Sequence, residues 1–554
     1  MTPSTLRARS GRVVARLLPL LLLLFASLAA GAAEPAATLA APAAIPRYLA
    51  PDGDDRGGAN ACADPAAPCA TLTHALSRAL PGDTLYLTPG AYSEANVRID
   101  KPITITGSGS DTTTLDGGAG GALLTVTGGG ALTLEALTLR GGAGQRGGAI
   151  LQESGQLTLR RVVLLDNSAV WGGGVYVAAG TTRIEDSRLA GNTAEGGGAI
   201  FAAAGSLTIL RSELAGNRAG VGGGLLVGPA AAATLSRTVL TGNEARHGGG
   251  VYVQGAFQAG NALWRDNRAT GRGGGLFSDD GTTLLEHTGW LDNGAALGGG
   301  IAGVGRVRLR NSFVTGSGGG DCAIALTGSN NLLDDASCGL PARPATALDG
   351  DGRPGFDSNA IDAVPAGQCG SEAGGAIADD LRGEPRPADG NGDGSARCDI
   401  GPYEFQPRLV VVHSPALSDA TRFGFGGDLG AFVLTVEQPQ RAFELPPGSY
   451  RLNEGRKAGW KVTAISCSGD SDNGSIIDLK ARAATVDLDA GEAIRCAFSA
   501  RPTRNSIGIA VAAAEGPVAV TFSGDLGAFA LATPATPDWR TGKLAAGVRA
   551  IQAT

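Results

Sequence analysis

Aromatic residues are scarce in this chain, 5% of 554 positions, and charged residues make up only 18%. The net charge of −7 is spread thinly. No basic patch stands out, so nucleic acid is not an expected partner. Beyond the N-terminus no stretch is apolar for the roughly 18 residues a spanning helix needs. What the chain has instead is glycine, 89 residues of it. Glycine does not recur every third position, which excludes collagen. Hydrophobic residues are 43% and recur periodically, which argues against wholesale disorder.

The N-terminus reads as a secretory signal over residues 1–32. Arg7, Arg9, Arg12 and Arg16 precede an apolar run from Leu17 to Ala30, and Ala30, Gly31 and Ala32 offer a cleavage site. Residues 33–47 read as an Ala/Pro linker. In an exported chain, eight cysteines imply disulfides. Local pairing gives Cys62 with Cys69, Cys322 with Cys338, Cys369 with Cys398, and Cys467 with Cys496, although other pairings are formally open. None stands in a zinc-like spacing.

The middle of the chain is an internal repeat. A Gly cluster closed by an aliphatic residue recurs at Ile150, Val175, Ile200, Leu225, Val251, Leu276 and Ile301, at intervals of 25, 25, 25, 26, 25 and 25. Asn167, Asn192, Asn217, Asn243, Asn267 and Asn293 keep step. Three residues before each stands Leu164, Leu189, Leu214, Leu240, Trp264 or Trp290. Between these landmarks the pattern alternates with period two, as in Gln156 to Arg160. Glycine triplets would break a helix. One repeat therefore forms one turn of a three-sided coil, and coils stacked at ~4.8 Å hydrogen-bond every strand above and below. The aliphatics would stack inside. The Asn residues would form a ladder at one corner, where Asn tolerates unusual backbone angles, and the Gly clusters would mark another.

The GGAI-plus-FxxN pattern, with Leu or Trp in place of Phe, resembles the repeats of polymorphic outer-membrane proteins. That resemblance covers roughly residues 140 to 320 and implies a right-handed parallel β-helix of the pectate-lyase-like type. The segment Pro81 to Tyr92, with Ile103 to Ile105 and Leu115 to Gly117, is similar to the opening coils of such helices. Leu72 to Ala79 is expected as an amphipathic helix sealing the N-terminal end. The expected β-helix with its cap spans 48–345.

Residues 346–406 follow as a closing segment. Ser358 to Asp362, Asp380 to Arg386 and Cys398 to Glu404 resemble the tail of choice-of-anchor surface proteins. No LPxTG-like motif is present to anchor the chain. Residues 407–500 read as a β-sandwich resembling prealbumin-like stalk modules. The motif Phe423 to Phe432 restarts at Phe522 to Phe529, so 501–554 reads as an incomplete second copy.

Many β-helices of this shape act on polysaccharides, but fold alone supplies no active site. The acid candidates are Asp279 with Asp280, and Asp266 with Asp292 on adjacent coils; a solvated turn is the favoured reading of both. His247, His74 and His287 show no ligand spacing, and a surface or capping role is favoured for them. Trp264 and Trp290 occupy the column Leu fills elsewhere, which favours core over a sugar platform. Asp389, Asn391 and Asp393 match the first three oxygen ligands of a calcium loop, without its twelfth-place carboxylate. Ca²⁺ is thus the one cofactor the sequence suggests. The expected function is a secreted or surface-displayed, non-catalytic rod for adhesion, surface structure or glycan binding. A polysaccharide lyase or hydrolase is the alternative, and capture of a partner strand at an uncapped end is a third.

Overall fold

A computed structural model describes residues 44–502 apart from 57–59, 356–357, 373, 375–376, 392–394, 407–408, 415–421, 436–437, 446–447, 471 and 490–492, together with short strands at 508–509, 519–524, 529–532, 539–540 and 551–553. The expected signal and most of the linker lie outside the described residues. The first strand, Pro46–Leu49, pairs in parallel with Thr84–Leu87. The solenoid thus begins inside the stretch read as linker.

Twenty-nine strands of the described residues form one continuous parallel sheet that winds around a single apolar core. Leu164 pairs in register with Leu189, Leu189 with Leu214, Leu214 with Leu240, Leu240 with Trp264, and Trp264 with Trp290. All six are fully buried. Period-two alternation decides which residues enter: Leu157 and Leu159 point inward from Gln156–Arg160, and the polar residues between them stay outside or half-buried. Trp264 and Trp290 stack at 4.1 Å and 8° inside the core. They are not a sugar platform. The helix Leu72–Arg78 buries Leu72, Ala75 and Leu76, with Thr71 as its N-cap.

Each turn has corners of different chemistry. At the first, every ladder Asn is buried and saturated. Asn217 Oδ1 accepts from Asn192 N at 2.9 Å and Asn192 Nδ2 at 3.0 Å, while Asn217 Nδ2 donates to Leu189 O at 2.9 Å. The same three bonds repeat from Asn167 to Asn293. The unusual backbone angle is not on the Asn, contrary to expectation. It falls one residue earlier, on Asp166, Gly191, Gly216, Gly242, Asp266 and Asp292, with φ between 52 and 65°. Only Gly and Asp occur there, because a short side chain that bonds locally tolerates the left-handed region.

At the second corner the first glycine of each cluster has φ between 62 and 66° from Gly147 to Gly298. The next glycine has no room for a side chain. A Cβ on Gly198 would lie 2.2 Å from Gly223 O of the following turn, and one on Gly173 would lie 2.4 Å from Gly198 O. Between the Asn and the Gly corner, short strands such as Ser168–Trp171 and Glu244–His247 stack into a separate six-stranded sheet.

A third corner went unrecognised in the sequence. Ala136, Arg161, Asp186, Arg211, Arg237, Asn261, His287, Asn311 and Asn330 all adopt φ between 46 and 56°. The residue types vary too widely to announce the position.

The segment after the solenoid lies along this third corner, over the last turns. Arg237 pairs with Asp379 and Arg265 with Asp351, both through Nη1, each at 2.5 Å. Leu263, Leu291 and Phe313 share a small core with Val364, Ile400 and Tyr403. Beyond it, two sheets face each other across one core that includes Val411, Phe423, Leu452, Val486 and Phe498. One sheet has four strands and the other five.

Candidate functional site

The four disulfides Cys62–Cys69, Cys322–Cys338, Cys369–Cys398 and Cys467–Cys496 leave no free cysteine. That is the chemistry of an oxidising, extracellular setting. Among the described residues, no helix is long and apolar enough to cross a membrane. The one grouping there with metal-ligand geometry is Cys62, Cys69 and His74. Its two sulfurs are bonded to each other, so it offers no thiolate.

The sequence-predicted acids stand at two different corners. Asp266 and Asp292 occupy successive turns of the left-handed position before the Asn ladder, and both are exposed. Asp266 meets Arg265 at 3.7 Å. A Cβ on Gly316 of the next turn would lie 2.1 Å from Asp292 Oδ1. Asp280 has φ 61°, in the turn where Gly155, Gly180 and Gly205 also have positive φ. Asp279 accepts from Tyr252 Oη at 2.7 Å and Gln254 Nε2 at 3.3 Å. Backbone conformation therefore accounts for three of the four. Of the calcium-loop residues, Asp393 lies outside the described residues. Asn391 N donates to Asp362 Oδ2 at 2.8 Å.

Two of the histidines differ in exposure. His247 is half-buried, accepts from Arg272 N at 3.2 Å and packs on Phe277 at 5.4 Å. His287 is fully buried, not at the surface. Its Nε2 meets Cys369 O at 3.1 Å and Asn311 Nδ2 at 3.0 Å, and its Nδ1 contacts Arg386. Burial first, and the Arg386 charge second, hold its pKa well below the ordinary range.

Around Arg386 the spaced motifs of the closing segment resolve into a buried ionic knot. Arg386 Nε pairs with Glu404 Oε2 at 2.9 Å, both side chains wholly inaccessible. Glu404 accepts from Ala388 N at 2.8 Å and Asp399 N at 3.1 Å. Asp399 accepts from Asp362 N and Phe405 N at 2.7 and 2.6 Å. Burial raises the pKa of both carboxyls, and Arg386 opposes it. Perturbed groups often mark active sites, but these are sealed from solvent and bound to backbone amides. The knot braces the closing segment internally and reaches the solenoid through Arg386 and His287.

Outside the Gly corner, the residue after each closing aliphatic points away from the core: Leu151, Tyr176, Phe201 and Tyr252 are half-buried, whereas Leu226 and Phe277 are covered by their neighbours. Tyr176 and Phe201 lie 5.2 Å apart, and Tyr252 and Phe277 are stacked at 5.3 Å. Side chains from the six-stranded sheet extend this strip. Arg146 sits over Tyr176 at 5.6 Å, and Trp171, 39% exposed, meets Phe201 at 5.6 Å. Trp171 has room because Gly196 beside it lacks a Cβ, which would come 2.6 Å from the indole. A groove of about 870 Å³ opens at the first turns of the strip, lined by Thr125, Arg146, Leu151 and Ala169 among others. Sequence reasoning missed these residues although a signal existed. In a chain this poor in aromatics, Tyr, Phe, Tyr and Phe recur directly after the Gly-aliphatic landmark at 176, 201, 252 and 277.

The chain is a parallel β-solenoid. No family model matches it, and no curated protein does. Among solved structures it is similar to a pectate lyase, with a TM-score of 0.35 and 12% identity over 65% of this chain and 96% of that one. It is also similar to a rhamnogalacturonan lyase, with a TM-score of 0.32 and 13% identity over 52% and 87% of the two chains. A third is a Geobacillus virus E2 protein, ORF18, with a TM-score of 0.26 and 11% identity over 45% and 52%. The assignment of this solenoid rests on its own strand register.

Proposed function

We propose that the protein is an extracellular, non-catalytic rod that binds glycans along the outside of its Gly corner. The aromatic strip carries this reading. Aromatic faces pack against the C–H faces of sugar rings, and the accessible rings of Trp171, Tyr176, Phe201 and Tyr252, gathered on one face, mark an interaction site. Neighbouring rings are held 5.2 and 5.3 Å apart by the pitch of the coil, so the platform is rigid before any ligand arrives. Rigidity lowers the entropy a ligand must overcome. Arg146, Gln254 and Asp279 supply polar groups at the margin. The sandwich following the closing segment would serve as a stalk.

The rival reading, a polysaccharide lyase or hydrolase, needs convergent carboxylates or a cation-held base, and the acids here are divided between two corners. Affinity electrophoresis through gels of neutral and acidic polysaccharides tests the proposal. Retardation by at least one glycan, abolished in Trp171→Ala/Phe201→Ala and Tyr252→Ala/Phe277→Ala, is the expected result. Shortening of any of these polymers by the protein, with or without Ca²⁺, would instead establish the enzyme.

A further inference from the structure

The strip has a charged neighbour. A cavity of about 690 Å³ lies over the six-stranded sheet and is lined by Arg218, Arg246 and Arg268 against one acid, Glu244. Glu244 is already engaged by Arg218 at 2.6 Å. Among the described residues, no carboxylate lies within ion-pair distance of Arg246, Arg268 or the nearby Arg272, and all three are exposed. The floor consists of Ala219, Ala245, Ala269 and Gly294. Such small residues let a bulky ligand approach the backbone while the guanidinium groups reach up around it. In a chain of net charge −7, this is a local excess of positive charge facing a concavity.

One strand borders both the cavity and the strip. Glu244–His247 places Arg246 in the cavity, and its next residue, His247, packs on Phe277 of the strip. Arg218 and Arg268 stand in the same register column, two turns apart through Glu244. That separation is ~10 Å at the stacking distance of parallel strands. Guanidinium forks fit carboxylate and sulfate oxygens equally well.

From this we infer that this cavity binds an anionic glycan, with Arg246 and Arg268 as its specificity-determining contacts; this rests on the glycan-binding reading above. Exposed ion contacts are individually weak and screened by salt, so the site acts through several charges together.

The test is a binding titration of the full chain with three probes: a polyuronate, a sulfated polysaccharide and a neutral glucan. Both anionic probes should bind more tightly than the glucan, with affinity falling as NaCl rises. Arg246→Ser/Arg268→Ser should weaken anionic binding by roughly tenfold or more, a loss of the order expected for two charge-assisted contacts. It should leave the melting temperature and any glucan binding unchanged. A preference for one anionic probe would identify carboxylate or sulfate as the recognised group. Glycan binding that depends on the aromatic residues but shows no anionic preference would overturn this inference and leave the proposed function standing. Failure of all three probes to bind would remove both. Equal, arginine-dependent binding of single-stranded DNA would also overturn it, since the patch would then be an unselective polyanion surface.

Discussion

Two regions of this molecule bury polar side chains and solve the same problem in opposite ways. The Asn ladder is neutral and translational, and each amide is satisfied by the copies above and below it. The Arg386–Glu404 knot is charged and singular, built once, and satisfied by backbone amides that no other turn can supply. A repeat spreads the cost of a buried polar group over many identical neighbours. A unique segment must carry full charges to fix one docking geometry, at a desolvation cost. The ladder specifies continuation of the coil, whereas the knot specifies where coiling stops and the flank is covered.

The comparison can be attacked at its strongest point first. Gly198→Val puts a side chain where even a Cβ would lie 2.2 Å from Gly223 O, and the stacked turn cannot recede. A loss of about 4 kcal/mol or more is expected, seen as insoluble protein or a collapsed melting transition. A variant that folds like wild type would mean the turns are not held at that spacing.

Next comes pairwise compensation. Arg386→Met leaves a buried carboxylate without its cation and should cost about 3–5 kcal/mol by chemical denaturation. The loss should be larger above neutral pH than in mild acid, because burial favours the protonated form of Glu404. Adding Glu404→Leu removes the orphaned charge and should restore part of the stability, the remaining loss coming from the Ala388 and Asp399 amides it leaves unmet. Asn217→Leu should cost about 3 kcal/mol, from the donors of Asn192 and the carbonyl of Leu189 left unmet. Here a second change, Asn192→Leu, should make matters worse, since a ladder has no closed pair to delete. Equal rescue in both regions would erase the distinction.

A smaller effect separates the solenoid from the sandwich. His413 and Glu454 face each other at 3.6 Å, both nearly inaccessible. Burial pushes Glu454 from 4.5 up to about 7 and His413 from 6.5 down to about 4. The raised carboxyl withdraws stability as pH climbs from about 4.5 to 7; the lowered imidazole withdraws it as pH falls from about 6.5 to 4. The two slopes oppose in wild type. Glu454→Gln should unmask the histidine slope alone, so that the sandwich loses of order 2 kcal/mol on acidification. Melting curves that stay flat with pH in this variant would refute the pairing.

The smallest expected change is Trp171→Ala, within about 1 kcal/mol of wild type by thermal melting. A larger loss would make the strip a structural seam and weaken its claim to a ligand.

Much of the fold was legible because its repeat is physical as well as textual. Leu164, Leu189 and Leu214 sit in register since an interval of 25 returns the chain to the same place on the coil. Asp266 and Asp292 read from the sequence as solvated turn residues before the ladder Asn, and the structure adds the left-handed backbone angle they adopt there. His287 looked like a surface residue because the segment that buries it arrives about 80 residues later, through Cys369. The candidate site was legible in its aromatic half, as a residue type at a fixed place in the repeat. Its cationic half was not, because Arg218, Arg246 and Arg268 form no run in sequence.

Taken by itself, the order of residues dictated the coil, its period, the inward columns and the Gly corner, since these depend on contacts between equivalent positions one turn apart. Only the tertiary structure decided the rest. It set which corner the closing segment covers, which backbone angles the turn acids adopt, and which scattered arginines meet around one cavity. Those outcomes depend on distances between unlike positions, and no periodicity encodes them.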